Sequence, residues 1–278
     1  MLAFFHSGPV QVALGVSAAA AALCGVLGVL TLMRGQAFAG HTLADVASAG
    51  GAGGLLLGLS PLLGFLVFGL LGVGALELLQ SRQRAARGEE AGILLGGGLG
   101  VTALLLHFCL THHGANGAAQ TVMFGAMFAL APHTVIWAWV LALLCGGLAA
   151  FIMRPLLLAS LEPELARVSG LNIRGLSLLF LLVLALGVTL AAMTVGAILA
   201  TALLVAPAAV ALRVANSLRG AVCLAMLCGL AACWGGIGLA YMSYTWTPGH
   251  TWPVSFFIVA LLLVFYVASV VGRRAWAI

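Results

Sequence analysis

His41 and Asp45 lie four residues apart in the stretch Arg34-Gly35-Gln36-Ala37-Phe38-Ala39-Gly40-His41-Thr42-Leu43-Ala44-Asp45, inside a strongly apolar chain. Four residues is about one turn of α-helix, so the two side chains share a face. Neutral imidazole and carboxylate both ligate first-row divalent metals. From one face they can hold one ion, with waters, backbone or another helix completing the shell. The same spacing equally serves a hydrogen-bonded His–Asp pair that fixes helix packing, and the residue types leave both readings open. Asp45 is the only acid among the first 76 residues. An ionisable group inside an apolar span is costly, which makes it a candidate functional residue.

The elements that position this pair must be membrane helices. Of the 278 residues, 64% are hydrophobic and 6% charged, with a mean hydropathy of +1.23, against about 25% charged in a soluble domain. The apolar runs are continuous, as spanning helices require, and lack the alternation of barrel strands. The reading is an all-α, polytopic transmembrane helical bundle of eight or nine spans, one domain over residues 1–278. The runs predict helices near 10–32, 41–58, 62–80, 91–110, 134–153, 176–192, 195–212, 220–240 and 253–271. With nine spans and the N-terminus outside, all eleven arginines fall on one side, and positive charge marks that side, with the C-terminus, as cytoplasmic. The segment MLAFFHSGPV lacks the basic start of a cleavable signal. The protein is therefore expected as a multi-pass chain in a membrane, surrounded by lipid and without a nucleic-acid partner.

Other features narrow the chemistry. The chain has no lysine, which excludes a phosphate loop of the G-x-x-x-x-G-K-[ST] type. If ATP drives this protein, another chain binds it. The six cysteines form no C-x-x-C pair and read as small buried thiols. Gly50, Gly54 and Gly58, and likewise Gly96 and Gly100, recur at the four-residue spacing of helix packing faces. Residues 119–131 are too short to span and read as a short outer-surface or partly re-entrant helix. His112 and His113 fall in an outer loop, either as polar surface or as residues that draw a metal inward. On the arginine-rich side, a loop over about 154–174 contains Ser160-Leu161-Glu162-Pro163-Glu164-Leu165-Ala166-Arg167-Val168-Ser169-Gly170. Ser160 as cap, Pro163 in a first turn and Gly170 as stop predict a helix of about two turns. Leu165 and Val168 make an apolar stripe beside Glu164 and Arg167. This helix either lies on the headgroups or docks a cytoplasmic partner. Pro207 lies inside a spanning helix that begins near Gly196; it frees a carbonyl and kinks the helix, and Thr201 is placed to help satisfy that carbonyl.

Three of these stretches in this order resemble the permease subunits of bacterial metal-ion ABC importers of the zinc- and manganese-uptake type. They are Phe38 to Gly50, Glu162 to Leu171, and Val195 to Ala208, and the resemblance covers nearly the whole chain. It implies that His41 and Asp45 serve metal passage, in the reverse of the family's usual acid-then-histidine order. It implies that Glu162, Glu164, Leu165, Arg167 and Val168 dock a separate cytoplasmic ATPase subunit, and that Gly196, Thr201 and Pro207 belong to a kinked pathway helix. A second permease copy would complete the pathway along a homodimer interface, and an extracytoplasmic metal-binding protein would deliver the ion. The chain itself would be a transport subunit and not an enzyme, with no permanently bound cofactor. Zinc, manganese and iron remain open as cargo, since imidazole suits zinc and carboxylate suits manganese. A stand-alone cation carrier or channel, or a metal-dependent membrane enzyme, are the competing readings. The first lacks further intramembrane acids for ion coupling and the second lacks a third ligand.

Overall fold

A computed structural model describes residues 7–80, 89–113, 117–246 and 252–275. Among the described residues there are eleven α-helices and no strand. They are α1 (Gly8–Met33), α2 (Ala37–Leu56), α3 (Pro61–Gln80), α4 (Glu89–His113), α5 (Ala118–Phe124), α6 (His133–Leu161), α7 (Pro163–Val168), α8 (Ile173–Val195), α9 (Ala197–Val214), α10 (Leu218–Trp246) and α11 (Val254–Ala275). Each of the nine apolar runs corresponds to one long helix. Eight of the nine are long and apolar enough to cross a membrane.

The exception is α2. His41, Asp45, Thr42, Ser48 and five glycines lower its hydropathy. Its 20 residues nonetheless extend about 30 Å, the thickness of a hydrocarbon core. It is enclosed by α1, α3, α4, α5, α8 and α9, and 14 of its residues are buried. A helix sheathed by other helices has little contact with lipid, so it tolerates polar residues that a peripheral span does not. Small residues make the enclosure close. A Cβ on Gly50 would lie 2.0 Å from the Gly64 carbonyl oxygen of α3, and one on Gly64 would lie 2.0 Å from that of Gly50. Of the other predicted glycine faces, Gly58 lies past the end of α2. Gly96 and Gly100 have nothing within 4 Å, and Gly98 is the residue that meets Val46 of α2.

Alternation of the helices gathers the arginine-bearing ends. Arg34 donates to Ser177 at 2.9 Å, Arg174 pairs with Glu77 at 2.6 Å, and Arg213 donates to Tyr266 at 3.0 Å. α5 is seated among α2, α4, α8 and α9. The expected short segment is thus a seven-residue helix that ends at Gly125, whose φ is +83°.

The predicted 154–174 loop is shorter than expected. α6 continues through Arg154 and Pro155 to Leu161. One proline removes one hydrogen bond and strains one turn, whereas Leu156 and Ala159 beyond it are buried in the bundle and hold the helix on. Ser160 is therefore no cap: its hydroxyl donates to the Leu156 carbonyl at 2.8 Å within α6. Pro163 opens α7 and Gly170, at φ +74°, ends it as predicted. The six cysteines are free thiols, and four of them are buried.

Candidate metal-binding site

α2 begins at Ala37, so Asp45 lies about 12 Å along the helix. The pair is still inside the bundle, displaced toward the arginine-rich end. Asp45 is 1% exposed. Its Oδ2 lies 3.6 Å from His41 Nε2, beyond hydrogen-bond reach, and has no hydrogen-bond partner. The two side chains stand at ion-pair rather than hydrogen-bond distance. Two ligands each about 2.1 Å from a metal, at an angle of about 110–120°, stand about 3.4–3.6 Å apart. The observed gap suits a bridging cation.

His41 is the accessible member, with 34% of its side chain exposed. Its Nδ1 is 2.7 Å from Thr201 Oγ1 on α9. With Nδ1–H donating to that hydroxyl, Nε2 presents its lone pair toward Asp45, the tautomer a cation on Nε2 selects. Thr201 thus serves His41 and does not turn back to the carbonyl freed by Pro207. A second polar set lies one turn further along α2: Ser48 Oγ donates to the main-chain carbonyl of Asp45 at 2.7 Å and lies 2.9 Å from Thr102 Oγ1 on α4. Sequence reasoning missed Ser48 and Thr102. Ser48, three residues past Asp45 in an apolar run, was the available signal for the first.

α9 is placed by its two glycine-lined contacts. Gly196, at φ +104°, separates α8 from α9. A Cβ there would lie 2.2 Å from the Met123 carbonyl oxygen, and one on Gly125 would lie 2.2 Å from that of Thr194. Ser255 Oγ of α11 stands 2.6 Å from Phe124 O and 2.9 Å from Val195 O and ties the same junction. Pro207 is buried one turn past Leu203, where Gly28 of α1 lets the backbones meet: a Cβ on Gly28 would lie 2.0 Å from the Leu204 carbonyl oxygen. Along α9, Ile198, Thr201, Ala202, Val205 and Ala209 recur at helical spacing and are incompletely covered by the chain's own helices.

Among the described residues, no group of three His, Cys, Asp or Glu is gathered. His112 and His113 close α4, but their side chains lie outside the described residues. The α7 residues form a separate region at the arginine-rich end. Ala166 is buried, while Leu165 and Val168 are 54% and 86% exposed. Glu162 is exposed, and Arg167 donates to Glu164 at 3.2 Å on the exposed surface.

Comparison with known proteins places this architecture. A manganese transport system membrane protein MntC of Listeria innocua is 26% identical over 235 residues, covering 84% of this chain and 82% of the relative. A high-affinity zinc uptake system membrane protein ZnuB of Haemophilus influenzae is 25% identical over 214 residues, covering 77% and 81%. The solved PsaBC from Streptococcus pneumoniae, in complex with Fab, shares the fold with a TM-score of 0.82 at 23% identity, over 97% of this chain and 95% of that one. The model of the ABC 3 transport family matches residues 8–272. The chain belongs to the ABC 3 transport family and is a multi-pass permease subunit of a transporter.

Proposed function

We propose that this permease carries a divalent transition metal, manganese or zinc, inward across the cytoplasmic membrane, and that His41 and Asp45 are its ligands on the way. The observation that carries the proposal is the buried Asp45 Oδ2, which has no hydrogen-bond partner and stands 3.6 Å from an imidazole nitrogen. Leaving a carboxylate oxygen unsatisfied in a buried site is costly unless something else satisfies it, and a divalent cation does so. The relatives named for manganese and zinc transport support the same cargo.

One chain supplies a half-site, and the incompletely covered face of α9 beside His41 is where a second copy would bring the other half. ATP would be hydrolysed by a partner subunit, consistent with the absence of lysine. That subunit would dock on α7, where Leu165 and Val168 stand in solvent next to Glu162, Glu164 and Arg167. Exposed apolar side chains rimmed by charge mark interaction surfaces. The arginine-rich end would face the cytoplasm, with the N-terminus outside and the C-terminus inside. An extracytoplasmic metal-binding protein would feed the opposite end, near α5.

The test is Asp45→Ala, read as manganese and zinc accumulation in cells that depend on this transporter, with co-purification of the ATPase subunit as the assembly control. Accumulation is expected to fall by more than about 100-fold, beyond the effect of losing an outer-shell partner, with the complex intact. Unchanged accumulation of both metals would refute the site.

A further inference from the structure

A crevice runs down one flank of the bundle between α3 and α6, and the transport reading leaves it unused. Both helices pack on α8, whose Leu190 and Met193 line the crevice between them. It consists of two cavities, of about 340 and 270 Å³, that share Leu62, Leu130, Thr134 and Met193. The shallower cavity lies where α3 and α6 begin, and Ser60, His133 and Thr134 give it a polar lip. Among the described residues, the deeper cavity is apolar or aromatic apart from Thr134, with leucines from α3, α6 and α8 beside Trp137 and Ala138. Polarity therefore falls in one direction along the crevice. Its depth is set by two helices. Leu141 lies eight residues into α6, about 12 Å from its start, and Leu186 lies nine residues before the end of α8, about 14 Å from that end. Half of a ~30 Å hydrocarbon core is about 15 Å, so the crevice is one leaflet deep. Trp137, at 65% exposure, shows that it opens on the outer flank of the bundle, where the medium is bilayer.

We infer that this crevice holds one acyl chain of a phospholipid, drawn from the leaflet at the end of the bundle opposite the arginines. The lip donates to the ester and phosphate oxygens through the Ser60 and Thr134 hydroxyls and the His133 ring N–H. The chain continues past Thr134 along Leu130, Met193 and Leu190. An unfilled apolar gap forfeits dispersion contacts along its walls, and water gains nothing by entering it. A flexible chain that is polar at one end and apolar below matches both the depth and the polarity gradient. The occupant would also brace the α8–α9 junction from the lipid side. Ala126 N donates to the Met193 carbonyl at 3.3 Å, and Gly125 beside it lies against the Thr194 carbonyl, so pressure on Met193 reaches the turn at Gly196.

The experiment uses the full-length permease in phosphatidylglycerol and phosphatidylethanolamine nanodiscs, with a fraction of the lipid carrying a diazirine at mid-chain. Illumination inserts the chain into what it touches, and mass spectrometry of the peptides locates the label. Wild type is expected to be labelled on the floor of the crevice, over Leu186–Met193, as well as on outward residues such as Phe151. Leu190 is 5% exposed and Phe151 83%, so a chain in the surrounding bilayer reaches the second and not the first. In Thr134→Phe the ring fills the neck shared by the two cavities. Floor labelling is expected to fall roughly ten-fold, equivalent to about 1.4 kcal/mol, with Phe151 labelling unchanged. Should Thr134→Phe fail to fold, Ala138→Leu, one turn deeper on the same wall, replaces it. Wild-type labelling confined to outward residues, or floor labelling unchanged in a folded filling variant, overturns the inference. The label is read without metal or transport, so its failure is separable from failure of the metal reading.

Discussion

Thr201→Val isolates the contact that connects the two helices of the proposed site. The substitution keeps the branched shape and volume of the side chain and removes only the hydroxyl, so the packing of α9 is retained. What is lost is the 2.7 Å contact to His41 Nδ1. A side-chain hydrogen bond of this kind is worth about 1 kcal/mol net, and more where its partner becomes charged. Because 34% of the His41 side chain is exposed, water can replace part of the contact, which argues for the lower end. About 1–1.5 kcal/mol corresponds to roughly five- to thirteen-fold in affinity. That range meets the lower end of the about 10–100-fold that partners orienting metal-binding histidines are worth, a total that already includes release of the ring. The expected result is about a ten-fold rise in the metal concentration for half-maximal uptake, with the maximal rate within about two-fold of wild type. Initial rates of manganese and zinc uptake across a concentration series measure both quantities. Thr201→Ser, which restores the hydroxyl, is expected to recover the affinity. Wild-type affinity in Thr201→Val, or equal impairment in Thr201→Ser, would refute the orienting role.

Two further predictions concern residues away from the ligands. Gly196→Ala is expected to destabilise the protein by about 3 kcal/mol or more, since its φ of +104° disfavours any side chain and the new Cβ would meet the Met123 carbonyl; an unaltered melting temperature in detergent would contradict the close approach at the α8–α9 junction. Glu164→Lys, at a site 87% exposed, should leave that melting temperature within the usual range for surface substitutions and reduce association with the ATPase subunit, and full association together with full ATPase stimulation would show that α7 is not the docking helix.

The helices were legible because a spanning helix must be a long apolar run, and each long helix announces itself in this way. α2 was the hard case. Its polar residues lower its hydropathy, and its place among the spans followed from the arginines, which segregate to one side only if it crosses. What the run could not reveal is that α2 is sheathed by six neighbours, because burial depends on which helices the topology brings around it. The end of α6 was misplaced for the opposite reason. Pro155 is a local signal to stop, and the burial of Leu156 and Ala159 overrides it.

At the site, the His41–Asp45 spacing was readable because both residues belong to one helix. The Thr201 contact was not, since it spans 160 residues of sequence and depends on the register of α9 against α2. That register is set where side chains are absent. Gly196 and Gly125 bring α9 against α5 at one end, and Gly28 brings α1 against the α9 backbone at Leu204. Gly40, one residue before His41, leaves room for the Leu204 methyl, which a Cβ there would meet at 2.6 Å. In the sequence each glycine looks like one of 37. In the fold, a methyl group at any of these positions would push α9 outward or along its axis, and a shift of even an ångström would take Thr201 Oγ1 from hydrogen-bond distance to beyond it. Positioning of the proposed ligand pair therefore rests on small residues that carry no chemistry of their own.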